Sequence, residues 1–367
     1  MADSYSISGV ANPRNIFYPI KPMSEFVELL IVGAGPSGIA AAIEAKRQGL
    51  SKIKILEKGA SHSSMIRTFY KEGKRVDAQY AGLEPICFGV MCLRDGNRES
   101  FLSFMDHAIA SNGVDISYNC EVWAIEKKAT EGFMVKSSLG DFDARTVVIA
   151  IGKMGRPRTP DYYSKIPNSL KNNKTILFDI NSRDLKGLNV LVVGGGDSAG
   201  EYLDMLHAQS KVTWSYRQTV IAKMNDSNKK IVENLIRDKK IEVLLGSQIN
   251  GIEDENSKAK VVFSDSNIGT RSYDAVLYAL GGVTPVNFLK NISVKVSEAG
   301  EAEVNQDTCE SSVSGLYLTG DLLGKGKGGG SIISGFNSAH AAVRDIVSKH
   351  FSMPITADEV NLDHLKF

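Results

Sequence analysis

One pattern occurs twice in this chain and restricts its fold more than any other feature. In residues 27–57 a largely apolar run, Val27-Glu28-Leu29-Leu30-Ile31-Val32, leads into Gly33-Ala34-Gly35-Pro36-Ser37-Gly38. A helical segment ending near Gly49 follows, then a second run, Ile53-Lys54-Ile55-Leu56, closed by Glu57. Short β-rich runs of this kind suit parallel strands covered on both faces. In the turn, Gly33 permits a tight reversal, Gly35 lets a pyrophosphate approach the backbone, and Gly38 lets the helix pack closely on the strand. The amides that open the helix, around Pro36 and Ser37, then face phosphate with the helix dipole behind them. Glu57 stands where a carboxylate accepts from ribose hydroxyls and repels a 2′-phosphate. A glycine triplet alone also occurs in ordinary loops. Here strand, helix, second strand and acid all follow in order, as a dinucleotide site requires.

The pattern starts again at Asn189. Val190-Leu191-Val192-Val193 runs into Gly194-Gly195-Gly196-Asp197-Ser198-Ala199, then a helix to about Gln209 and a strand to Tyr216. Alanine at the third small position is an allowed variant. This strand ends on Arg217 and no acid. An arginine there pairs with a 2′-phosphate, so this half fits NADPH better than NADH, the alternative being a solvated surface arginine. Two such turns about 160 residues apart point to two nucleotides held face to face, as hydride passage from a nicotinamide to a flavin needs.

Composition narrows the remaining classes. A chain of 367 residues suits two or three domains. A net charge of +1 without a long basic run argues against nucleic acid or an acidic membrane as partner. No run approaches the ~18 apolar residues of a membrane span. Residues 1–25 are polar, broken by Pro13, Pro19 and Pro22, and lack the apolar centre of a signal peptide; they read as a loosely attached arm on a cytoplasmic protein. Cys87, Cys92, Cys120 and Cys309 do not suggest a disulfide scaffold.

Between the two turns, residues 59–97 show no clear period and read as loops and short elements at a cleft. A helix is expected over 98–112. Strands are expected at 114–118, 121–126, 132–138 and 142–151 as an antiparallel meander closing on Gly152, followed by a proline-marked connector over 153–188. Ile231, Val232, Leu235 and Ile236 recur at helical spacing and read as core. Strands at 241–245, 259–263 and 274–280 complete the second unit at Gly281-Gly282. Gly315-Leu316-Tyr317-Leu318-Thr319-Gly320-Asp321, a glycine-rich loop and a helix over 331–348 finish the chain.

Four landmarks in this order (the two glycine turns, Val148-Ile149-Ala150-Ile151-Gly152, and Leu318-Thr319-Gly320-Asp321) resemble the two-dinucleotide-binding-domain flavoproteins, specifically the low-molecular-weight thioredoxin reductase branch. The resemblance covers residues 27 to about 348. It implies an α/β fold of two Rossmann-like domains. Their expected order is an arm (1–25), an FAD-binding domain in two parts (26–155 and 275–350), an inserted NAD(P)H-binding domain (156–274) and a tail (351–367). It implies FAD at Gly33, Gly35, Pro36, Ser37, Gly38, Glu57 and Lys58, and NADPH at Gly194, Gly196, Asp197, Ser198, Ala199 and Arg217. Gly320 and Asp321 would hold the ribityl or pyrophosphate region of FAD. The backbone of Ser331 and Ile332 would meet the flavin pyrimidine edge at a helix N-terminus. Val122, Gly152 and Gly281 complete the cofactor-binding set, and a homodimer is implied.

One departure matters. Thioredoxin reductases of this branch carry a CxxC shortly before the second glycine turn, and residues 153–193 here contain no cysteine. Cys87 and Cys92, the remaining catalytic candidates, match the CxxxxC of the long-chain disulfide reductases in spacing only. In an extended strand they would lie ~16 Å apart, whereas a disulfide needs Cα atoms within ~7 Å. Only a bend, as at Gly89, would join them; packed, ordinary cysteines are the expectation, with a flavin-proximal thiol or a redox pair as alternatives. The runs Ala279-Leu280-Gly281-Gly282-Val283-Thr284-Pro285 and Gly328-Gly329-Gly330-Ser331-Ile332-Ile333 resemble the reductase-like set that lacks CxxC, including bacillithiol-disulfide-reductase-like proteins. Those place a cysteine in the first glycine turn, where this chain has Ser37, which argues against that activity. The resemblance therefore implies an enzyme passing hydride from NADPH to FAD and on to an unidentified acceptor: a small disulfide, a quinone or a carrier protein. One alternative is a ferredoxin–NADP reductase-like enzyme whose aromatic tail, ending here in Phe367, shields the flavin. Another is a redox sensor that binds FAD without turnover. A flavin monooxygenase fits less well, because no histidine lies between His107 and His207.

Overall fold

A computed structural model describes residues 24–78, 86–153, 157–283, 285–324 and 330–355. Most of the expected arm, the tail with Phe367, and much of the loop before the last helix lie outside these residues. In chain order the first unit supplies β1 (Glu25–Val32), α1 (Pro36–Arg47), β2 (Ile53–Leu56), α2 (Ser64–Phe69), a ribbon of β3 (Arg75–Val76) and β4 (Gly96–Asn97), and α3 (Arg98–Ser111). It continues with β5 (Ile116–Ser117), β6 (Val122–Lys127), β7 (Phe133–Ser137) and β8 (Gly140–Ile149). The second unit follows: α4 (Asn168–Asn172), β9 (Ile176–Leu177), β10 (Asn189–Val193), α5 (Asp197–Leu206), β11 (Lys211–Tyr216), α6 (Asp226–Arg237) and β12 (Glu242–Leu245). It ends with β13 (Ile249–Glu255), β14 (Lys258–Phe263), β15 (Thr270–Tyr273) and β16 (Ala275–Tyr278). The chain then returns through α7 (Val286–Asn291), β17 (Leu316–Leu318) and α8 (Ile332–Phe351).

The apolar runs become the centres of two parallel sheets. Leu29, Leu30 and Ile31 are fully buried, because β1 lies between β2 and β8, both parallel to it, with α1 packed on it. β5 extends this sheet beyond β2. The other edge of β8 is shared: its first half pairs antiparallel with β7, its last residues parallel with β17. α1 is lined with Ala40, Ala41, Ala42 and Ala45, all buried, and α8, which buries Ala339, Ala342 and Val343, packs on it. Small side chains let two helices and a strand layer approach closely. α3 opens with a capping box between Asn97 and Ser100 and buries Phe101, Leu102 and Met105.

The second sheet is wholly parallel, in the order β12-β11-β10-β16-β9, and the antiparallel β13-β14-β15 forms a separate three-stranded sheet. The segments carrying the chain between units run side by side: Pro157 bridges to Gly282, and Arg158 N donates to Gly281 O at 2.8 Å.

Several sequence expectations are corrected here. The run at 114–118 is not part of the meander, since β5 pairs parallel with β2. The connector over 153–188 contains β9, an edge strand of the second sheet; two residues are too short to show a period. The return to the first unit, expected at 275, falls after Tyr278, because β16 is bonded to β10. β1 begins at Glu25, inside the expected arm, and α8 runs to Phe351, into the expected tail.

Candidate active site

The first glycine turn is shaped by its own backbone. Gly33 has φ +104, and a Cβ there would meet Ala150 O at 2.7 Å; an L side chain is excluded twice over. Ala34 N donates to Glu57 Oε2 (2.7 Å), while Gly59 N and Ser64 Oγ donate to Oε1 (2.7 and 3.0 Å). Glu57 is thus fixed against the turn at the end of β2. Ser37 is buried and accepts from Thr319 Oγ1 at 3.3 Å, tying the turn to the segment after β17. There Gly320 N donates to Ser338 Oγ (3.0 Å), and Asp321 Oδ1 accepts from Gly330 N (3.0 Å) just before Ser331 caps α8 through Ser334 N. Gly33, Gly35, Pro36, Ser37, Gly38, Glu57, Gly320, Asp321, Ser331 and Ile332 therefore converge at the carboxyl ends of β1, β2, β8 and β17, where open α/β sheets bind ligands. Cys120 N bonds to Glu57 O, which brings the start of β6 at Val122 alongside. Gly152 follows β8 with φ +61 and open space around it. Lys58 does not join the cluster: it is exposed and pairs with Glu121 at 2.7 Å.

The second turn repeats the geometry with different anchors. Gly194 has φ +144, and a Cβ there would meet Ala279 O at 2.3 Å. Its carbonyl accepts from the indole Nε1 of the fully buried Trp214 at 2.6 Å. Gly195 lies against the Tyr216 ring, whereas Gly196 has nothing within 4 Å of a Cβ position. Ser198 and the buried Ala199 open α5. Asp197, expected at the nucleotide, is turned inward, its Oδ1 accepting from Asn225 N (2.7 Å) and Asn228 Nδ2 (3.2 Å). Arg217 follows β11 and is exposed, with no acid paired to it among the described residues. Gly281 (φ +79) lies in the second crossing segment. Trp214 was visible in the sequence, but nothing there marked its carbonyl partner.

Tyr70 lies between the two turns. Burial, with the carboxylates of Glu201, Asp321, Asp197 and Asp77 around it, pushes its phenol well above the usual range, so it stays a neutral donor. Burial also raises the Glu201 carboxyl, against the pull of Lys74. Beside them a cavity of about 580 Å³ opens along the seam, lined by Arg67, Thr68, Tyr70, Lys71, Arg98 and Asn181 among others. This is the cleft expected from the aperiodic stretch after Gly59.

Cys87 and Cys92 are joined in a disulfide, with Cα atoms 5.6 Å apart. The expectation of ordinary packed cysteines fails for this pair; Cys120 and Cys309 are free and buried, and burial pushes the Cys309 thiol up to about 12. The strand-spacing argument does not apply, because helix side chains bend the segment. Phe88 N donates to Asn337 Oδ1 (3.0 Å), Asn337 Nδ2 to Ile86 O (2.8 Å) and Val90 N to Glu44 Oε1 (2.6 Å). At Gly89 a Cβ would lie 2.0 Å from Glu44 Oε1. Among the described residues no cluster of His, Cys, Asp or Glu is placed to hold a metal, and no helix is long and apolar enough to cross a membrane.

A dinucleotide fits both turns. Of the helices with ten or more residues, α3, α6 and α8 are capped by a side chain, whereas α1 and α5 are not. Their N-terminal amides are left for an anion, beside the open positions at Gly35 and Gly196.

A family model described as pyridine nucleotide-disulphide oxidoreductase matches residues 30–320. The chain is 27% identical to the thioredoxin reductase of Bacillus subtilis over 309 residues, covering 81% of this chain and 87% of that protein. It is 24% identical to a ferredoxin–NADP reductase of Rickettsia rickettsii over 336 residues, covering 88% and 92%. In fold it is similar to the bacillithiol disulfide reductase of Bacillus cereus, with a TM-score of 0.75 at 20% identity, covering 89% of this chain and 100% of the other.

Proposed function

Because this chain belongs to the pyridine nucleotide-disulphide oxidoreductase family, we propose that it moves two electrons from NADPH to a small disulfide, a quinone or a carrier protein without a thioredoxin-type CxxC. It is an FAD-dependent NAD(P)H oxidoreductase of the thioredoxin reductase-like kind, with FAD and NADPH as cofactors. The observation that carries the reading is the pair of uncapped glycine turns, each on its own parallel sheet. FAD, when bound, supplies a carrier between a two-electron nicotinamide and the acceptor.

The residues divide the binding work. The α1 amides and Gly35 take the FAD pyrophosphate, Glu57 accepts from ribose hydroxyls, and Asp321 orders the loop that leads to the α8 N-terminus. The Ser331–Ile332 amides there favour negative charge on the flavin pyrimidine edge. In the second unit the α5 amides and Gly196 take the NADPH pyrophosphate and Arg217 the 2′-phosphate. The reading extends to a homodimer in the cytoplasm, supported by the resemblance alone.

Anaerobic stopped-flow at the flavin band, near ~450 nm as is usual for flavins, tests the core of this. Fast bleaching by NADPH and slow bleaching by NADH are expected. If neither nicotinamide bleaches the flavin, the NADPH half of the proposal fails and a sensor role takes its place.

The observed Cys87–Cys92 pairing favours a disulfide acceptor over a carrier protein. The pair is reduced to a dithiol by two electrons, ultimately from NADPH, and two protons. One thiolate then attacks the acceptor disulfide and expels a thiolate, and the second cysteine resolves the mixed disulfide, restoring the pair. Its loop is held by Glu44 and Asn337, on the helices whose N-termini frame the first turn. Cys87→Ser is expected to keep NADPH bleaching while turnover with small disulfides falls by roughly 100-fold or more. Unchanged turnover would leave the ferredoxin–NADP reductase-like alternative standing.

A further inference from the structure

The contact between the two units contains a buried charge pair that neither glycine turn requires. Lys74 Nζ lies 2.6 Å from Glu201 Oε2, with side chains only 9% and 22% exposed. The approach is ionic: Glu201 Oε2 has no hydrogen-bond donor in line among the described residues. The ammonium also sits 3.5 Å from the centre of the Tyr70 ring. Lys74 is fixed in the first unit, its amide donating to Lys71 O (3.1 Å) and its carbonyl accepting from Arg98 N (2.8 Å) at the start of α3. Glu201 lies on α5, one turn beyond Asp197.

Further links cross the same seam. Arg75 Nη2 donates to Asn228 Oδ1 (3.4 Å), and Asn228 Nδ2 donates to Asp197 Oδ1 (3.2 Å) at the second glycine turn. Asn181 Nδ2 donates to Thr68 O at 2.7 Å. Covalently, the units are joined by the paired crossing segments at Pro157 and Gly282, a natural hinge.

We propose that Lys74 is a positioning residue: its ion pair with Glu201, backed by Tyr70 and by the Arg75–Asn228–Asp197 chain, latches α5 against the first unit, and electron transfer from NADPH depends on that closed arrangement. This rests on the proposed function for its kinetic consequence and on geometry alone for the latch. Removing the lysine takes away the contact counter-ion of a buried carboxylate and leaves only the weaker pull of Arg75, a cost relieved when the units part and water reaches Glu201. Removing both charges for apolar side chains of similar length takes away the reason to part.

The test uses the FAD-loaded protein and three chains: the parent, Lys74→Met, and Lys74→Met with Glu201→Leu. Native-state hydrogen exchange is read over residues 68–76 and 197–206, and stopped-flow bleaching over a range of NADPH concentrations. In Lys74→Met, exchange in both segments is expected to rise roughly tenfold or more, with β1 and β8 unchanged as a control for folding. The limiting bleaching rate is expected to fall roughly tenfold, with NADPH affinity within about twofold, because α5 and Arg217 bind within the second unit. The double variant is expected to return both readings to within about threefold of the parent. Unchanged exchange in Lys74→Met, or a double variant as open as the single one, overturns the latch. A parent that NADPH fails to bleach overturns the proposed function, while the exchange comparison still decides the latch.

Discussion

A chain carrying Gly35→Ala is expected to fold with the parent's stability and to be purified almost free of flavin, whereas Gly38→Ala is expected to melt well below the parent. The two glycines are three residues apart in one turn, yet their surroundings are opposite. Gly35 has φ −78 and ψ 177, which alanine adopts without strain, and a Cβ there would meet only Ala150 O at 3.7 Å. The methyl would stand in the space a pyrophosphate needs, and affinity for FAD should fall by roughly 100-fold or more. At Gly38, on α1, a Cβ would lie 2.1 Å from Gly33 O and 3.2 Å from Ala150 Cβ, with the backbone of the turn on one side and the Ala150 side chain on the other. Neither can yield without separating helix from strand, and the overpacking cost should reach about 3 kcal/mol. Thermal unfolding and the ratio of flavin to protein absorbance read both effects. A Gly35→Ala protein with a full complement of FAD would show that the turn holds no phosphate.

Arg217→Ala is expected to weaken NADPH binding by roughly 10- to 100-fold, the worth of charge-assisted hydrogen bonds to one phosphate, and to leave NADH binding and the melting temperature unchanged. The argument is again positional. Arg217 is exposed at the end of β11, and no acid pairs with it among the described residues, so its removal strands no buried partner. Equilibrium titration with each nicotinamide gives the two dissociation constants directly. Equal loss for both would place the arginine on a shared part of the nucleotide, and no loss for either would leave it a solvated surface residue.

Much of the site was legible because its determinants are local. A strand, a glycine turn, a helix and the residue closing the next strand lie within 31 residues at the first site, from Val27 to Glu57, and their chemistry is written in that order. What stayed illegible depends on distant partners. The Cys87–Cys92 pair forms because Glu44 on α1 and Asn337 on α8 bend the segment between them, and no spacing rule contains those two residues. Asp197 looked like a nucleotide ligand until α6 brought Asn225 and Asn228 to it. β9 adds two residues to the second sheet through pairing with β16, a strand almost 100 residues later. The boundary at 275 that the resemblance implied cuts through β16, a strand that the apolar pattern had placed in the second unit and that pairs there with β10.

The shared edge of β8 bears on how such a chain is made. β17 lies against the last residues of β8, so everything from 157 to 283 is synthesised between two strands that end as neighbours. The second unit is contiguous and has all its strands once Tyr278 has emerged. The first unit begins earlier and finishes later, since α8, the element most extensively packed on α1 among the described residues, comes last. At the usual pace of translation, ~5–20 residues per second, α1 waits roughly 15–60 s for that partner. The half of the protein that is written first is the last to close.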